Sequence, residues 1–380
     1  MKYCENCLSN DLRPGGLIMD GLCAPCHYLK HNNYTKPGRT KLLALKKHYK
    51  LSRVGQKNKG AYDCIVGVSG GKDSTRQAQW VRDRLGLRPL LVCVSYPPKQ
   101  MSYIGANNLS NIIEMGFDLM VVTPAPKSSA ILSLESFKQF GNVSKSTEKA
   151  LYSSVPRIAI DLGVNTIFWG ENNATQVGEK SVEGNDEFDA NNLRKMNTTS
   201  AGGDNWIKSV VDKNYKYNHY VYPDEIMFKK NKINIFYLGP AWDDWSFTDN
   251  SAYASLHGLT LRPGEQSYTG DITNASMLDE EFSNINMMLK YYKFGFGRAS
   301  DTVNEQIRLG QITRDEGIKI VEKYDGICHD KIIKSYCDYV KISVDEFWKI
   351  ANPYVNKNLF DIKPGCRPLR KFKIGVSNEN

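Results

Sequence analysis

Two residue patterns in this chain of 380 residues are built for chemistry. The first is Ser69-Gly70-Gly71-Lys72-Asp73-Ser74, entered from a short apolar run at 63–68 and followed by a stretch of helix-compatible composition. Strand, glycine turn and helix in that order make a phosphate cradle. Glycine lets main-chain amides approach an anion, and a helix amino terminus adds positive potential. Ser69 and Ser74 add hydroxyl donors, and Lys72 adds a compact positive charge. Asp73 would repel phosphate by itself, which leaves helix capping or magnesium coordination as its role. This is not a Walker A loop, because Asp73 rather than Ser or Thr follows the lysine.

The second pattern is Cys4-x2-Cys7, fifteen intervening residues, then Cys23-x2-Cys26. Each pair can aim two sulfurs at one ion, and four thiolates close a tetrahedral zinc sphere, so the expected metal is structural Zn2+. So short a segment cannot build its own core, and metal binding would supply much of its folding energy. A redox dithiol is the competing use of such pairs. The other cysteines, Cys64, Cys93, Cys328, Cys337 and Cys366, are scattered and read as reduced, mostly packing residues.

Around these patterns the chain has the composition of a globular protein, with 41% hydrophobic, 11% aromatic and 24% charged residues. No apolar run approaches the ~20 residues that cross a bilayer, and the polar start MKYCENC lacks the apolar core of a secretory signal. A cytoplasmic location is the expectation. The net charge of +9 is partly local, concentrated between Lys36 and Lys59. Such a run suits RNA, but more often it is a solvated helix and linker.

The elements that must position the loop alternate. Strands are expected at 63–68, 89–95, 118–122, 166–169 and 233–238, with helices at 74–85, 107–115 and 151–162. That alternation predicts an α/β fold with a doubly wound, mostly parallel sheet. The expected organisation is a zinc-binding ribbon at 1–35, a basic helix and linker at 36–61, an ATP-binding domain at 62–275 and a helical region at 276–380. Residues 179–206 are polar and too long for an ordinary connection, so they read as a mobile active-site loop or a disordered insertion. Capping-box patterns at Thr313-x-x-Glu316 and Ser343-x-x-Glu346 mark helix starts in the carboxy-terminal region, where a helix beginning near Asp301 should stop at Gly310.

SGGKDS in this context resembles the PP-loop ATP pyrophosphatases, which include GMP, NAD and asparagine synthetases and tRNA-thiolating enzymes. The resemblance implies cleavage of ATP between its α and β phosphates, with AMP passed to a substrate oxygen. A narrower resemblance, over nearly the whole chain, is to the N-acetyl sugar amidotransferases of bacterial surface-polysaccharide and nonulosonic-acid pathways. It rests on the paired cysteines with Met19-Asp20-Gly21-Leu22, on Tyr62-Asp63-Cys64 before the loop, and on Trp169-Gly170-Glu171-Asn172. Further matching pieces are the segment from Tyr292 to Arg298 (YKFGFGR), NEQIRLG at 304–310, Ile312-Thr313-Arg314 and Lys323-Tyr324-Asp325-Gly326.

That family converts the acetamido group of a sugar, often nucleotide-linked, to an acetamidino group. ATP and Mg2+ are the implied cofactors besides zinc. No glutaminase nucleophile is recognisable here, so a separate glutaminase with a channel-forming, synthase-like subunit is the expected ammonia source. No membrane or nucleic-acid partner is expected.

The expected catalytic side chains are Lys72, Asp73 and Glu171. ATP would lie on Ser69 to Ser74, Val94, Tyr96 and Gly170, since ligands of open parallel sheets sit beyond the carboxyl ends of the strands. Asn172, Asp244 and Arg298 are expected on the sugar side, with Arg308 and Arg314 as further diphosphate ligands or plain helix-surface ion-pair partners. Asp243 and Asp244 between Trp242 and Trp245 suit magnesium, a sugar face or a structural corner. Two rival readings stand: a tRNA-modifying enzyme of the same superfamily, and a noncatalytic zinc-ribbon interaction protein.

Overall fold

The computed structural model describes residues 1–14, 16–31, 38–53, 62–170, 184–196, 205–208, 210, 218–242, 245–264, 266–363 and 365–377. Four of the expected site and corner residues, Glu171, Asn172, Asp243 and Asp244, lie outside them.

The chain opens with a hairpin, β1 (Ile18–Met19) and β2 (Leu22–Cys23), then α1 (Ala24–His31) and α2 (Gly38–Arg53). The five-stranded sheet follows: β3 (Cys64–Val68), α3 (Lys72–Asp83), β4 (Pro89–Val94), α4 (Tyr103–Glu114), β5 (Leu119–Val122), α5 (Pro126–Phe140), α6 (Lys145–Leu162) and β6 (Thr166–Trp169). After the short helices α7 (Asn205–Lys208) and α8 (Glu225–Asn231), β7 (Asn234–Tyr237) closes the sheet. The strand order is β5-β4-β3-β6-β7, parallel throughout.

Alternate side chains of β3 enter two different cores. Cys64, Val66 and Val68 pack with Ala78 and Val81 of α3, whereas Ile65 packs with Val155 and Ala159 of α6. Both faces are therefore covered by helices, which is why these strands read as unbroken apolar runs. The expected doubly wound α/β sheet is present. Chain direction across the sheet reverses between β3 and β6, so the crevice for a ligand falls beyond the end of β3, where the loop lies.

The remaining helices are α9 (Phe247–Leu256), α10 (Ser283–Phe294), α11 (Arg298–Arg308), α12 (Arg314–Tyr324), α13 (Asp330–Val340) and α14 (Val344–Ala351), followed by a hairpin of β8 (Phe360–Asp361) and β9 (Leu369–Arg370). Their core is not theirs alone. Phe137 of α5 meets Tyr336 and Phe347, and the Tyr339 hydroxyl donates to Pro126 O at 3.1 Å. Helix α5, absent from the sequence reading, thus joins the sheet to the carboxy-terminal helices. The capping box at Thr313 and Glu316 is formed in both directions, and the Ser343 side chain accepts from Glu346 N.

Within the polar stretch at 179–206, residues 184–196 pack on the edge strand. Ala190 N donates to Ile235 O, Tyr237 N donates to Phe188 O, and Phe188, Ala190 and Leu193 are buried. An edge strand leaves unpaired amides and carbonyls, and this segment satisfies them.

Candidate active site

The loop enters from β3 with Gly70 at φ +83°, in the left-handed region open to glycine. Gly71 is the N-cap of α3, and no side chain caps that end. Ser69 N donates to Ser74 Oγ at 3.3 Å, and Gly71 N to Ser69 Oγ at 3.4 Å. These are long, weak bonds, which an anion can replace.

Asp73 is held from two sides. Lys72 Nζ pairs with its Oδ2, and Asn250 Nδ2 of α9 donates to its Oδ1 at 2.7 Å. Asn250 in turn accepts from Arg76 Nη1 at 2.7 Å. The carboxylate therefore does not cap its own helix; it orients Lys72, whose ammonium also lies 3.9 Å from the Phe247 ring centroid.

A cavity of about 720 Å³ opens onto Ser69, Gly71, Lys72, Asp73 and Ser74. Its far wall comes from both chain ends: Ser9, Asn10 and Arg13 near the cysteines, and Arg298, Asp301, Asn304, Glu305 and Arg308 of α11. A third side is the segment 275–279, where Met277 takes φ +49°. A non-glycine residue in that region is strained and is held there by its surroundings. Arg262 Nη2 holds it, donating to Met277 O at 3.0 Å, and Asp271 braces the preceding turn by accepting from Ser276 N at 2.8 Å and Thr273 N at 3.1 Å. The same segment crosses α4 so closely that a side chain at Gly105 would lie 2.6 Å from Asp279 Cα.

The four cysteines Cys4, Cys7, Cys23 and Cys26 are buried, with their sulfurs within 4.8 Å of one another. Among the described residues they are the one cluster of three or more such donors close enough for a metal, and His27 and His31 are not part of it. Cys23 N donates to Cys4 Sγ at 3.3 Å, and Asn6 Nδ2 to Cys26 Sγ at 3.3 Å. Hydrogen bonds chiefly from Cys23 draw Cys4 and Cys7 below the ordinary thiol value, while Cys23 itself is pushed up, first by Cys26. Four thiols this close cannot all ionise alone, whereas a divalent cation lets them, so the donor set fits zinc.

Helix α11 ties this cluster to the loop. Leu8 N donates to Asn304 Oδ1 at 2.7 Å, and Arg308 Nη1 lies 4.0 Å from Cys7 Sγ. Although burial opposes its charge, Cys7, Cys23 and Cys26 hold Arg308 above the ordinary arginine value. Glu305, on the same helix, accepts from Phe247 N at 2.7 Å, and the Phe247 ring faces Lys72. Asp325 anchors the start of α11, accepting from Gly297 N at 2.9 Å and Ser300 N at 3.1 Å.

Residues 268–373 match the family model for the C-terminal domain of WbpG-like LPS biosynthesis proteins. The match covers the carboxy-terminal part alone and supports a link to surface-polysaccharide biosynthesis. No match is found among the curated proteins. The WbpG-like region contains all of α11, and so supplies Arg298, Asn304, Glu305 and Arg308 to the cavity.

Of the other expected residues, Val94 is buried with Leu132, Ala150 and Trp206, and the Tyr96 hydroxyl donates to Asp279 Oδ2 at 2.8 Å. Neither is among the side chains that line the cavity. Gly170 follows β6 beside Gln77 and Trp245, also off the cavity wall. Trp242 and Trp245 stack on one another at 4.1 Å. Arg314 donates to Gly375 O at 2.8 Å and fastens the carboxy terminus, whereas Arg308 faces the cysteines instead of making a helix-surface pair. Cys64 and Cys93 are buried in the sheet, and Cys366 is exposed. Sequence reading missed Ser9, Asn10, Arg13, Glu305 and the 275–279 segment. The motif NEQIR signalled the helix, but the roles of its side chains depend on partners far away in the chain.

No helix among the described residues is long and apolar enough to cross a membrane.

Proposed function

We propose that this protein is a PP-loop enzyme that uses ATP to convert the acetamido group of a nucleotide-linked N-acetyl sugar to an acetamidino group, in surface-glycan synthesis. The observation that carries the reading is that the SGGKDS loop and the WbpG-like helix α11 line one cavity. The loop supplies the chemistry of ATP, and the region matched to LPS biosynthesis supplies the wall that an acceptor would meet.

In this reading, the amides of 69–72 and the Lys72 ammonium take the β and γ phosphates of ATP. The acetamido oxygen attacks the α-phosphorus, the bond to the β-phosphate oxygen breaks, and pyrophosphate leaves. Ammonia then adds to the imidate carbon, and the carbon–oxygen bond breaks to release AMP and the amidine. Asp73 orients Lys72 and is the described carboxylate at the loop that would hold magnesium, which binds through one or two carboxylates together with phosphate oxygens. Magnesium would supply neutralisation of the phosphate charge. Zinc, on Cys4, Cys7, Cys23 and Cys26, would supply structure. Free ammonia would come from a separate glutaminase with its synthase-like partner.

The test is incubation with ATP, magnesium, ammonium and a panel of nucleotide-linked N-acetyl sugars, with AMP and the mass of the sugar followed. Sugar-dependent AMP and replacement of oxygen by NH are expected. AMP formation that depends on tRNA and not on sugar would overturn the reading.

A further inference from the structure

Around Asp301 the charges do not balance. Arg13, from the loop that follows the first cysteine pair, pairs with Asp301 Oδ1, and Lys290 of α10 pairs with Oδ2. Arg298 lies near the same carboxylate, and its buried Nε has no hydrogen-bond partner among the described residues. Three cations thus face one carboxylate. A further carboxylate, Asp325, is turned away, its oxygens occupied by Gly297 N, Ser300 N and the Ser300 hydroxyl. Arg13 and Lys290 also share one ring, lying 4.3 and 4.6 Å from the centroid of Phe296. Cation–π attraction offsets part of their mutual repulsion, and among the described residues Asp301 is the one carboxylate that pairs with Arg13 and Lys290.

The strain is visible in the ionisation. Burial, with Arg13 and Arg298 adding to it, draws Lys290 below the ordinary lysine value against the pull of Asp301. Burial opposes the charge of Asp301, yet Lys290, Arg13 and Arg298 hold it well below the ordinary carboxylate range. Arg13, Arg298 and Asp301 all line the cavity that also opens onto Lys72.

We propose that Arg13 and Arg298, with Lys290 behind them, form a second anion subsite, on the wall facing the loop at 69–74, that takes the diphosphate of the nucleotide-linked acceptor. The proposal rests on the ATP reading of that loop. Its particular content is that the metal-held amino terminus is a wall of the substrate site: it supplies Arg13, a planar donor suited to phosphate oxygens. Two phosphate sites in one cavity also give the reaction its polarity. ATP is fixed at one wall and the acceptor at the other, with the acetamido group between them.

The experiment is calorimetric titration of the metal-loaded, full-length protein, first with α,β-methylene-ATP, then with inorganic pyrophosphate or UDP onto the analogue-saturated protein. Both anions are expected to bind with the analogue in place. Losing one charge-assisted phosphate contact in Arg13→Gln should weaken them about ten- to a hundred-fold. The affinity for the analogue should stay unchanged, as should the zinc content. Arg298→Gln, on a different element, should weaken the same anions and serves if Arg13→Gln disturbs the cysteine segment. Anion binding that is unchanged in both variants, or that simply competes with the analogue, would overturn the subsite. Failure of the analogue to bind, with Arg13-dependent binding of pyrophosphate intact, would overturn the ATP reading and leave the subsite standing.

Discussion

The two walls of the cavity differ in how far apart in the chain their parts lie. The loop wall is local: Ser69, Gly71, Lys72, Asp73 and Ser74 hold one another through bonds spanning at most five residues, with Asn250 as an outside support. The facing wall is assembled from distant segments, since Leu8 bonds Asn304 across 296 residues and Arg308 reaches Cys7 across 301. A local wall keeps its shape when the rest of the molecule loosens. A wall made of remote pieces is lost whenever either piece lets go, and here one piece carries the four-cysteine cluster that fits a metal.

The largest effect should therefore come from breaking the remote wall at its four cysteines. Cys4→Ser or Cys26→Ser should abolish stoichiometric zinc and, because structural zinc supplies on the order of 10 kcal/mol of folding free energy, melt the segment at 1–31. Zinc analysis together with thermal denaturation checks this. Full zinc occupancy in either variant would refute the four-thiolate site.

Breaking the local wall should do the opposite, costing activity and little structure. Lys72→Met should slow pyrophosphate release about 100- to 1,000-fold, the size seen when one transition-state donor is removed. Its melting temperature should stay close to that of the parent. A large loss of stability would mean that the pairing of Lys72 with Asp73 is structural first.

A smaller effect tests whether α11 joins the two walls. Asp325→Ala removes the acceptor for Gly297 N and Ser300 N and should cost about 1–2 kcal/mol, as loss of a helix cap does. Denaturant titration gives the number. Zinc should be retained while affinity for the acceptor falls, because Arg298 and Arg308 ride on that helix.

The last prediction concerns pH and the third side of the cavity. Burial, with Asp279 alongside, pushes Glu280 up from 4.5 to about 7. A carboxyl raised on folding binds more protons in the native state, so its contribution to stability is complete below pH 4.5 and is lost as pH rises through about 7. Glu280→Gln should flatten that fall when stability is compared across pH 4.5 to 7. Parallel profiles for the two proteins would show that Glu280 ionises without penalty.

What the sequence made legible follows the same division between local and remote. The strands were readable because each is an apolar run, and the central β3 and β4 are buried throughout. The loop and the cysteine pairs were readable because their ligands are contiguous or evenly spaced. Helix α5 was not, because Ser128, Ser129, Ser133 and Ser136 are buried in it and blur the apolar stripe. Helix α9 was missed for a related reason: its role is to bury Asn250 against α3, a polar contact that leaves no periodic trace. The polar segment at 184–196 looked unstructured because backbone pairing with β7, and not composition, orders it. Arg13 stood in no motif at all; its significance comes from Asp301, a residue 288 positions away.

The bond between Leu8 and Asn304 also sets a clock on synthesis. At ribosomal speeds of roughly 5–20 residues per second, the cysteine segment emerges on the order of 15 to 60 s before the helix it must dock on. For that interval it has no protein partner to bury its apolar side. A metal captured early would keep it shaped while the sheet folds behind it. Zinc supply during translation, more than zinc supply to the finished protein, would then decide how much of the chain reaches its closed form.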